Sequence, residues 1–291
     1  MKSKISTAYV DLDGCFNAGP EYGGSTFFAK SAPYKWELEI PNIRDFLRFR
    51  DFYRLDCHVV TGRSIKISED LLRFFANAPS VIEHGTIIYD PTNGARERHI
   101  TEFDQEQYGN LREAKDNLES FIVKTAPNLM SKLQQLLPEC KLAMLYDNLH
   151  IWSVEIFPPA LESVKKLQKI IGQLLPGSII RNIQGGFLRE MISRGAYEIL
   201  PAVSKKVALE SLIDIKKIDV SSSLGIGDSI HSDDWLKTIL ERGGCIGCPA
   251  NADEELKEIV TAARDRGFVS SKGYFLGSRE ILEHFIGPFP L

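Results

Sequence analysis

Apolar and polar positions follow one rhythm at the two ends of this chain and another in its middle. Near the start, Thr7-Ala8-Tyr9-Val10 is a β-prone run that leads straight into Asp11-Leu12-Asp13-Gly14. Pro41 and Asn42 open a helix with Ile43, Phe46, Leu47 and Phe49 at helical spacing. Cys57-His58-Val59-Val60 is a second buried-strand run, and Thr61-Gly62-Arg63-Ser64 follows it. A helix is predicted over residues 67–76, and two short strands flank His84-Gly85. Residues 16–35, rich in Gly, Ser and aromatic side chains, read as a loop or small β flap. Strands alternating with helices in this way imply a parallel sheet with helices on its faces.

The middle is patterned differently. Residues 103–137 are polar and helical, with a break at Pro127. Residues 141–146 and 150–157 are strand-like around Asp147-Asn148, a hairpin signal. Leu161, Val164, Leu167, Ile170, Ile171 and Leu174 form one helical stripe. Residues 178–183 and 187–193 read as two further strands joined at Gly185-Gly186. From Leu200 the first rhythm returns. Ser204 caps a helix through Ala208, Leu209, Leu212 and Ile213. A strand over 221–226 runs into Gly227-Asp228-Ser229, and strand 245–247 and helices 253–263 and 278–285 follow. The expected fold class is α/β. A Rossmann-like parallel-sheet core (residues 1–92 and 198–291) carries an inserted α+β domain with antiparallel pairing (residues 93–197).

Composition removes several function classes. The 291 residues are 43% hydrophobic and 25% charged, ordinary for a globular protein. A net charge of −4 without a basic block argues against nucleic acid as a partner. No run approaches the ~18 apolar residues of a membrane span. The N-terminal Met1-Lys2-Ser3-Lys4 leads into a strand rather than a signal-peptide core, so a cytoplasmic protein is expected. Five scattered cysteines suit reduced thiols. Cys245 and Cys248 read as strand end and turn, because a zinc site needs four ligands.

The candidate chemistry gathers at strand ends. In extended geometry Asp11 and Asp13 leave the chain on one side, where they repel unless a hard cation neutralises them or one stays protonated. Thr61-Gly62, Lys205, and Asp228 with Asp233 fall at other strand ends or helix starts, the places that line the ligand crevice of an open parallel sheet.

These four stretches resemble the motifs of the haloacid dehalogenase superfamily, and more narrowly its Cof-type sugar-phosphatase branch with a large C2 cap. Asp11-Leu12-Asp13-Gly14 matches the DxDG motif, and Val59-Val60-Thr61-Gly62-Arg63 matches the strand ending in Thr. Lys205 before Val207-Ala208-Leu209 matches the motif lysine, with Lys206 its neighbour, and Gly227-Asp228 with Asp233 matches the acidic fourth motif, with Asp234 the alternative. Pro249-Ala250-Asn251-Ala252 and the segment 277–282 also resemble this branch. The core similarity spans residues 5–90 and 198–286, and the inserted unit is similar to a cap by position, size and α+β character.

The resemblance implies a Mg²⁺-dependent phosphatase acting on a small phosphorylated metabolite, most readily a sugar phosphate. It makes Asp11 the nucleophile that forms an aspartyl-phosphate, and Asp13 the group that protonates the leaving oxygen and then activates water. The metal would lie on Asp11, the Asp13 carbonyl and Asp228, with Asp233 orienting a metal water or Lys205. Thr61, Gly62 and Lys205 would hold the phosphoryl oxygens. Arg63 is a further phosphate neighbour or a structural arginine, and His231 a surface histidine or a group beside the metal. Trp152, Arg181, Arg189 and Glu190 are candidates to face the substrate from the inserted unit. That unit is expected to hinge near Pro91-Thr92 and Leu200-Pro201 and to close over Asp11. The rivals are a phosphomutase on the same scaffold and a non-catalytic phospholigand-binding protein. Retention of both Asp11 and Asp13 speaks against the second, because binding alone needs no acid–base group.

Overall fold

The computed structural model describes residues 5–16, 40–63, 72, 75–91, 96–99, 105–144, 151–158, 160–192, 196–230 and 233–290. It divides into two compact units, Met1–Arg98 with Val203–Leu291, and His99–Ala202. The divisions fall a few residues later than the sequence rhythm places them.

The first unit begins with β1 (Thr7–Val10), α1 (Ile40–Tyr53), β2 (Asp56–Val59), β3 (Ser80–Ile82), β4 (Ile87–Asp90) and β5 (Arg96–His99). The inserted unit follows with α2 (Gln105–Lys124), α3 (Ala126–Leu136), β6 (Lys141–Met144), β7 (Trp152–Phe157), α4 (Leu161–Leu174), α5 (Gly177–Gln184), β8 (Leu188–Ile192) and β9 (Ala196–Pro201). The chain then returns through α6 (Lys205–Lys216), β10 (Ser223–Ile226), α7 (Trp235–Glu241), β11 (Cys245–Cys248), α8 (Glu254–Ala262), β12 (Gly267–Val269) and α9 (Tyr274–Phe285).

The first unit is built on a parallel five-stranded sheet in the order β12-β11-β10-β1-β2. Beside β2, a short parallel bridge between Val60 and Val81 leads into the three-stranded set β3-β4-β5. One face of the sheet packs on Phe46, Phe49, Phe75 and Phe16, with the Phe46 and Phe75 rings stacked at 4.2 Å. On the other face α7 lies close, since a Cβ on Gly225 of β10 would stand 2.7 Å from Leu236. The buried aromatic surface of such a core is its main source of stability.

The inserted unit carries the antiparallel sheet β6-β7-β9-β8 and its own core, centred on Trp152, Tyr197, Leu167 and Leu118. Pro127 sits in the first turn of α3, where its missing N–H costs nothing, so the chain breaks at Thr125 into two helices. Strands β6 and β7 pair as a hairpin, although its turn at Asp147-Asn148 lies outside the described residues.

Two expectations meet a different outcome, one strand was not expected, and two further expectations fall mostly outside the described residues. Residues 178–183 are helix α5 rather than a strand, because Ile179, Ile180 and Ile183 share one helical face; periodicity over so short a run reads either way. Strand β12 went unpredicted, being three partly exposed residues at the sheet edge. The last helix starts at Tyr274, four residues before Ser278. The helix expected over 67–76 and the flap over 16–35 lie mostly outside the described residues, apart from buried Phe16, Leu72, Phe75 and Ala76. Cys245 and Cys248 are free, buried thiols of β11. Among the described residues, no helix is long and apolar enough to cross a membrane.

Candidate active site

The register of the sheet assembles the site. Val10 is level with Val59 on one side and Ile226 on the other. The ladder continues one step further, with Asp11 N donating to Ile226 O at 2.9 Å and Val60 N to Val10 O at 2.8 Å. Asp11, Thr61 and Gly227-Asp228 therefore leave the sheet at neighbouring C-terminal strand ends, where a parallel sheet opens its crevice. Lys205 comes from a different direction, the first residue of α6, whose N-cap Ser204 accepts from Val207 N at 3.2 Å. Gly85 brings that helix close, because any Cβ there would lie 2.3 Å from the Ser204 carbonyl.

Asp11, Asp228 and Asp233 offer carboxylate oxygens within 4.8 Å of one another. Lys205 Nζ stands between two of them, 3.2 Å from Asp11 Oδ2 and 2.8 Å from Asp233 Oδ1. All three members of this bridge are almost fully buried. Burial and the neighbouring Asp233 charge push the Asp11 carboxyl up to about 8, against the pull of Lys205. Burial, then Asp233 and Asp11, push Asp228 up as well. Burial alone would lower Lys205, but Asp11 and Asp233 outweigh it and hold its ammonium charged. Three carboxyls share one buried ammonium, so a proton stays on the cluster near neutral pH unless another cation replaces it.

Asp233 is the most heavily held of the three. Its Oδ2 accepts from the Asp228 and Ser229 amides at 3.0 and 3.3 Å, and its Oδ1 accepts from Lys205 and from Trp235 Nε1 at 2.8 and 2.9 Å. With both oxygens engaged twice, it acts as an anchor, whereas Asp11 and Asp228 keep oxygen lone pairs for a cation. Clustered hard oxygen donors of net negative charge suit a Mg²⁺-type ion, so the residues present fit that group. The alternatives stand aside. Lys206 is over a third exposed and 4.0 Å from Glu210, and Asp234 is the N-cap residue of α7.

Gly14 and Gly62 are required by close approach. Gly14 has φ +73°, and a Cβ on it would lie 1.8 Å from Asp228 Oδ2. Asn251 braces this loop, donating from Nδ2 to Gly14 O at 2.9 Å while its Oδ1 accepts from Tyr274 N. A Cβ on Gly62 would lie 2.2 Å from the His84 ring, which rides on a turn with φ of 50°, 54° and 101° at Glu83, His84 and Gly85. Thr61 is fully buried, and its Oγ1 accepts from Arg63 N at 3.2 Å.

The Asp13 carboxylate is half-exposed and does not join the acidic cluster. Arg63 grips it as a fork, Nε to Oδ2 at 2.8 Å and Nη2 to Oδ1 at 2.5 Å. Arg63 was thus undervalued from sequence, where only its place after Thr61-Gly62 marked it. His84 and Trp235 were not singled out for the site, since a turn and a helix start gave no chemical pattern to find them by; Asn251 was marked only as part of Pro249-Ala250-Asn251-Ala252, without a role. His231 lies outside the described residues.

Among the inserted-unit candidates, Trp152 faces its own core. It is fully buried and donates from Nε1 to Met144 Sδ at 3.1 Å. Arg181 sits on helix α5, not on a strand. Glu190 is exposed on β8 and accepts from the Tyr197 hydroxyl, while the neighbouring Arg189 points to the other face of the sheet.

A scan against protein-family models finds no match for this chain, and a search among curated proteins finds none either. Solved structures do match along nearly the whole length. A Thermoplasma acidophilum protein aligns at TM-score 0.57 and 17% identity, covering 97% of this chain and 98% of that one. Sucrose-phosphatase from Synechocystis sp. PCC6803, solved with sucrose and phosphate, aligns at 0.54 and 16%, covering 97% and 98%. A phosphatase of the haloalkanoate (HAD) enzyme superfamily from Bacteroides thetaiotaomicron aligns at 0.52 and 14%, covering 97% and 96%.

Proposed function

We propose that this chain, which has the fold of the haloacid dehalogenase-like hydrolases, is a Mg²⁺-dependent phosphatase of a small phosphorylated metabolite, most readily a sugar phosphate. The observation that carries the reading is the buried bridge in which Lys205 Nζ spans Asp11 and Asp233 beside Asp228. The similarity to a sucrose-phosphatase over both units favours a sugar phosphate.

Asp11 is the nucleophile. Its Oδ1 accepts from Leu12 N at 2.8 Å, and its Oδ2 lies nearest Lys205, so the carboxylate is held in one orientation before substrate arrives. It attacks the phosphorus, the P–O bond to the sugar breaks, and an aspartyl-phosphate forms. Asp13 gives its proton to the departing sugar oxygen, then takes one from the water that cleaves the acyl phosphate. Its carboxylate must leave Arg63 to do the first, since a guanidinium favours the ionised acid. Thr61 and the Gly62 amide hold phosphoryl oxygens, and the Lys205 ammonium offsets their charge. When bound on the Asp11 and Asp228 carboxylates and the Asp13 carbonyl, Mg²⁺ would neutralise the repulsion between an anionic nucleophile and a phosphate dianion. Selection of the leaving group is assigned to the inserted unit, since a part of the chain that supplies none of these reacting groups can vary in specificity without altering them.

Replacement of Asp11 by Asn tests this reading. The amide is nearly isosteric but no nucleophile, so release of phosphate from a panel of sugar phosphates should fall by roughly 10³-fold or more, with the circular-dichroism spectrum unchanged. Full turnover by purified Asp11→Asn would end the proposal. Isomerised sugar phosphate without phosphate release, followed by NMR, would favour the mutase instead.

A further inference from the structure

We infer that Trp235 is a positioning residue of this reaction centre, acting through Asp233 on Lys205. The inference rests on the phosphatase reading and extends it to a residue outside the four motifs.

Trp235 is the first residue of α7, two positions after Asp233, and is fully buried. Its indole is a donor with no acceptor capacity, and when buried it needs a partner. That partner is Asp233 Oδ1 at 2.9 Å, the same oxygen that receives Lys205 Nζ at 2.8 Å. The other oxygen, Oδ2, is fixed by two backbone amides of the loop that carries Asp228. Those amides hold Oδ2, while Oδ1 is held by Lys205 and the indole. The indole N–H comes from a buried ring, so it restrains Oδ1 against the residual torsional motion of the side chain and sets the site that the flexible lysine must reach. Lys205 then has one place to dock, and from it Nζ reaches Asp11 Oδ2 at 3.2 Å.

The packing makes the indole a rigid support. Gly225 lets α7 press against the sheet, and a Cβ there would stand 3.2 Å from the Trp235 ring and 2.7 Å from Leu236. The ring lies against β10, the strand that also delivers Gly227 and Asp228. One side chain thus ties the strand under Asp228 to the carboxylate beside Lys205. Phe would keep a ring in part of the same space, but it would not direct Asp233.

Trp235→Phe isolates the donor, because it keeps an aromatic ring in the pocket and deletes the N–H. With p-nitrophenyl phosphate and Mg²⁺, kcat should fall about tenfold, the order expected for losing one hydrogen bond to a charged group, while KM stays within about twofold. Leu236→Ala is the packing control, since it hollows the same helix–sheet contact without touching Asp233. It should lower the melting temperature at least as much as Trp235→Phe and keep kcat near wild type below the transition. Should the Phe variant not purify folded, Trp235→Met, flexible and equally without a donor, takes its place. Wild-type kcat in the donorless variant, or an equal kcat loss in Leu236→Ala, would overturn the inference. A wild-type protein that releases no phosphate from any substrate would instead overturn the phosphatase reading itself.

Discussion

The two units place their charged side chains differently. In the first, beside exposed pairs such as Arg242–Asp214, one group of charges meets in or at the edge of the interior. Lys205 bridges Asp11 and Asp233, and Arg63 forks onto Asp13. In the second, the interior is apolar around Trp152 and Leu167, and Glu139, Glu162, Lys165 and Lys166 pair at the surface. Exposed pairs of that kind contribute about 0–1 kcal/mol each. A buried cluster costs desolvation and is weak evidence for stability, so its persistence points to use rather than to folding. The groups proposed for the reaction thus lie in the first unit, at its strand ends and at the start of α6.

Glycines sharpen the same contrast. In the first unit they make room for function. Gly14→Ala must place a methyl group where the Asp228 carboxylate lies and must hold φ at +73°. The residue at 14 or the Asp228 side chain has to move, and Asp228 is a proposed metal ligand. We expect phosphate release to drop by roughly 100-fold and the Mg²⁺ needed for half-maximal activity to rise. Titration of activity with Mg²⁺ checks both. An unchanged metal requirement in Gly14→Ala would show that Asp228 is not held against this glycine for the metal's sake.

Legibility from the sequence divides along the same line. Asp11, Lys205 and Asp228 could be read because each follows an apolar strand or opens a capped helix, a local pattern with a mechanism. Asp233 was preferred over Asp234 on spacing, and it is Asp233 that meets Lys205. His84 and Arg63 were hidden or undervalued because their contacts join distant segments, and Trp235 because a tryptophan opening a helix two positions after an acid reads as core. His84 meets Gly62 across a turn, and Arg63 meets Asp13 fifty positions away. Helix α5 was misread for the opposite reason: its Ile179-Ile180 pair is locally β-prone, and only the packing of Ile179 into the second core decides for helix.

A second expectation concerns the pH response of the buried cluster. The Asp11 carboxyl is raised by burial and Asp233 to about 8, above its ordinary value of 3.8. Between those values the metal-free native chain keeps a proton that the unfolded chain has released. Stability of the metal-free protein should therefore fall as pH rises through this window and level off above it. Mg²⁺ must displace that proton, so its stabilising effect should grow from about pH 6 to about pH 9. Thermal melts in EDTA and in Mg²⁺ across the range test the sign. A metal effect that shrinks with rising pH would contradict a cation held on Asp11.

The smallest effect is expected in the second unit, and it has the reverse sign. Gly172 lies inside helix α4 on its exposed side, and a Cβ there would meet nothing within 4 Å. No turn, close approach or positive φ requires a glycine, so its only consequence is a more flexible unfolded chain and a weaker helix. Gly172→Ala should stabilise the protein by about 0.5–1 kcal/mol. Because α4 packs through Val164, Leu167 and Ile171 on the opposite stripe, the substitution leaves the unit's core untouched. Differential denaturation checks the gain, and kinetics on the preferred substrate check that kcat and KM are unchanged. A loss of activity on adding one methyl group to this open helix face would mean that α4 takes part in the reaction cycle, and that the groups proposed in the first unit do not account for it alone.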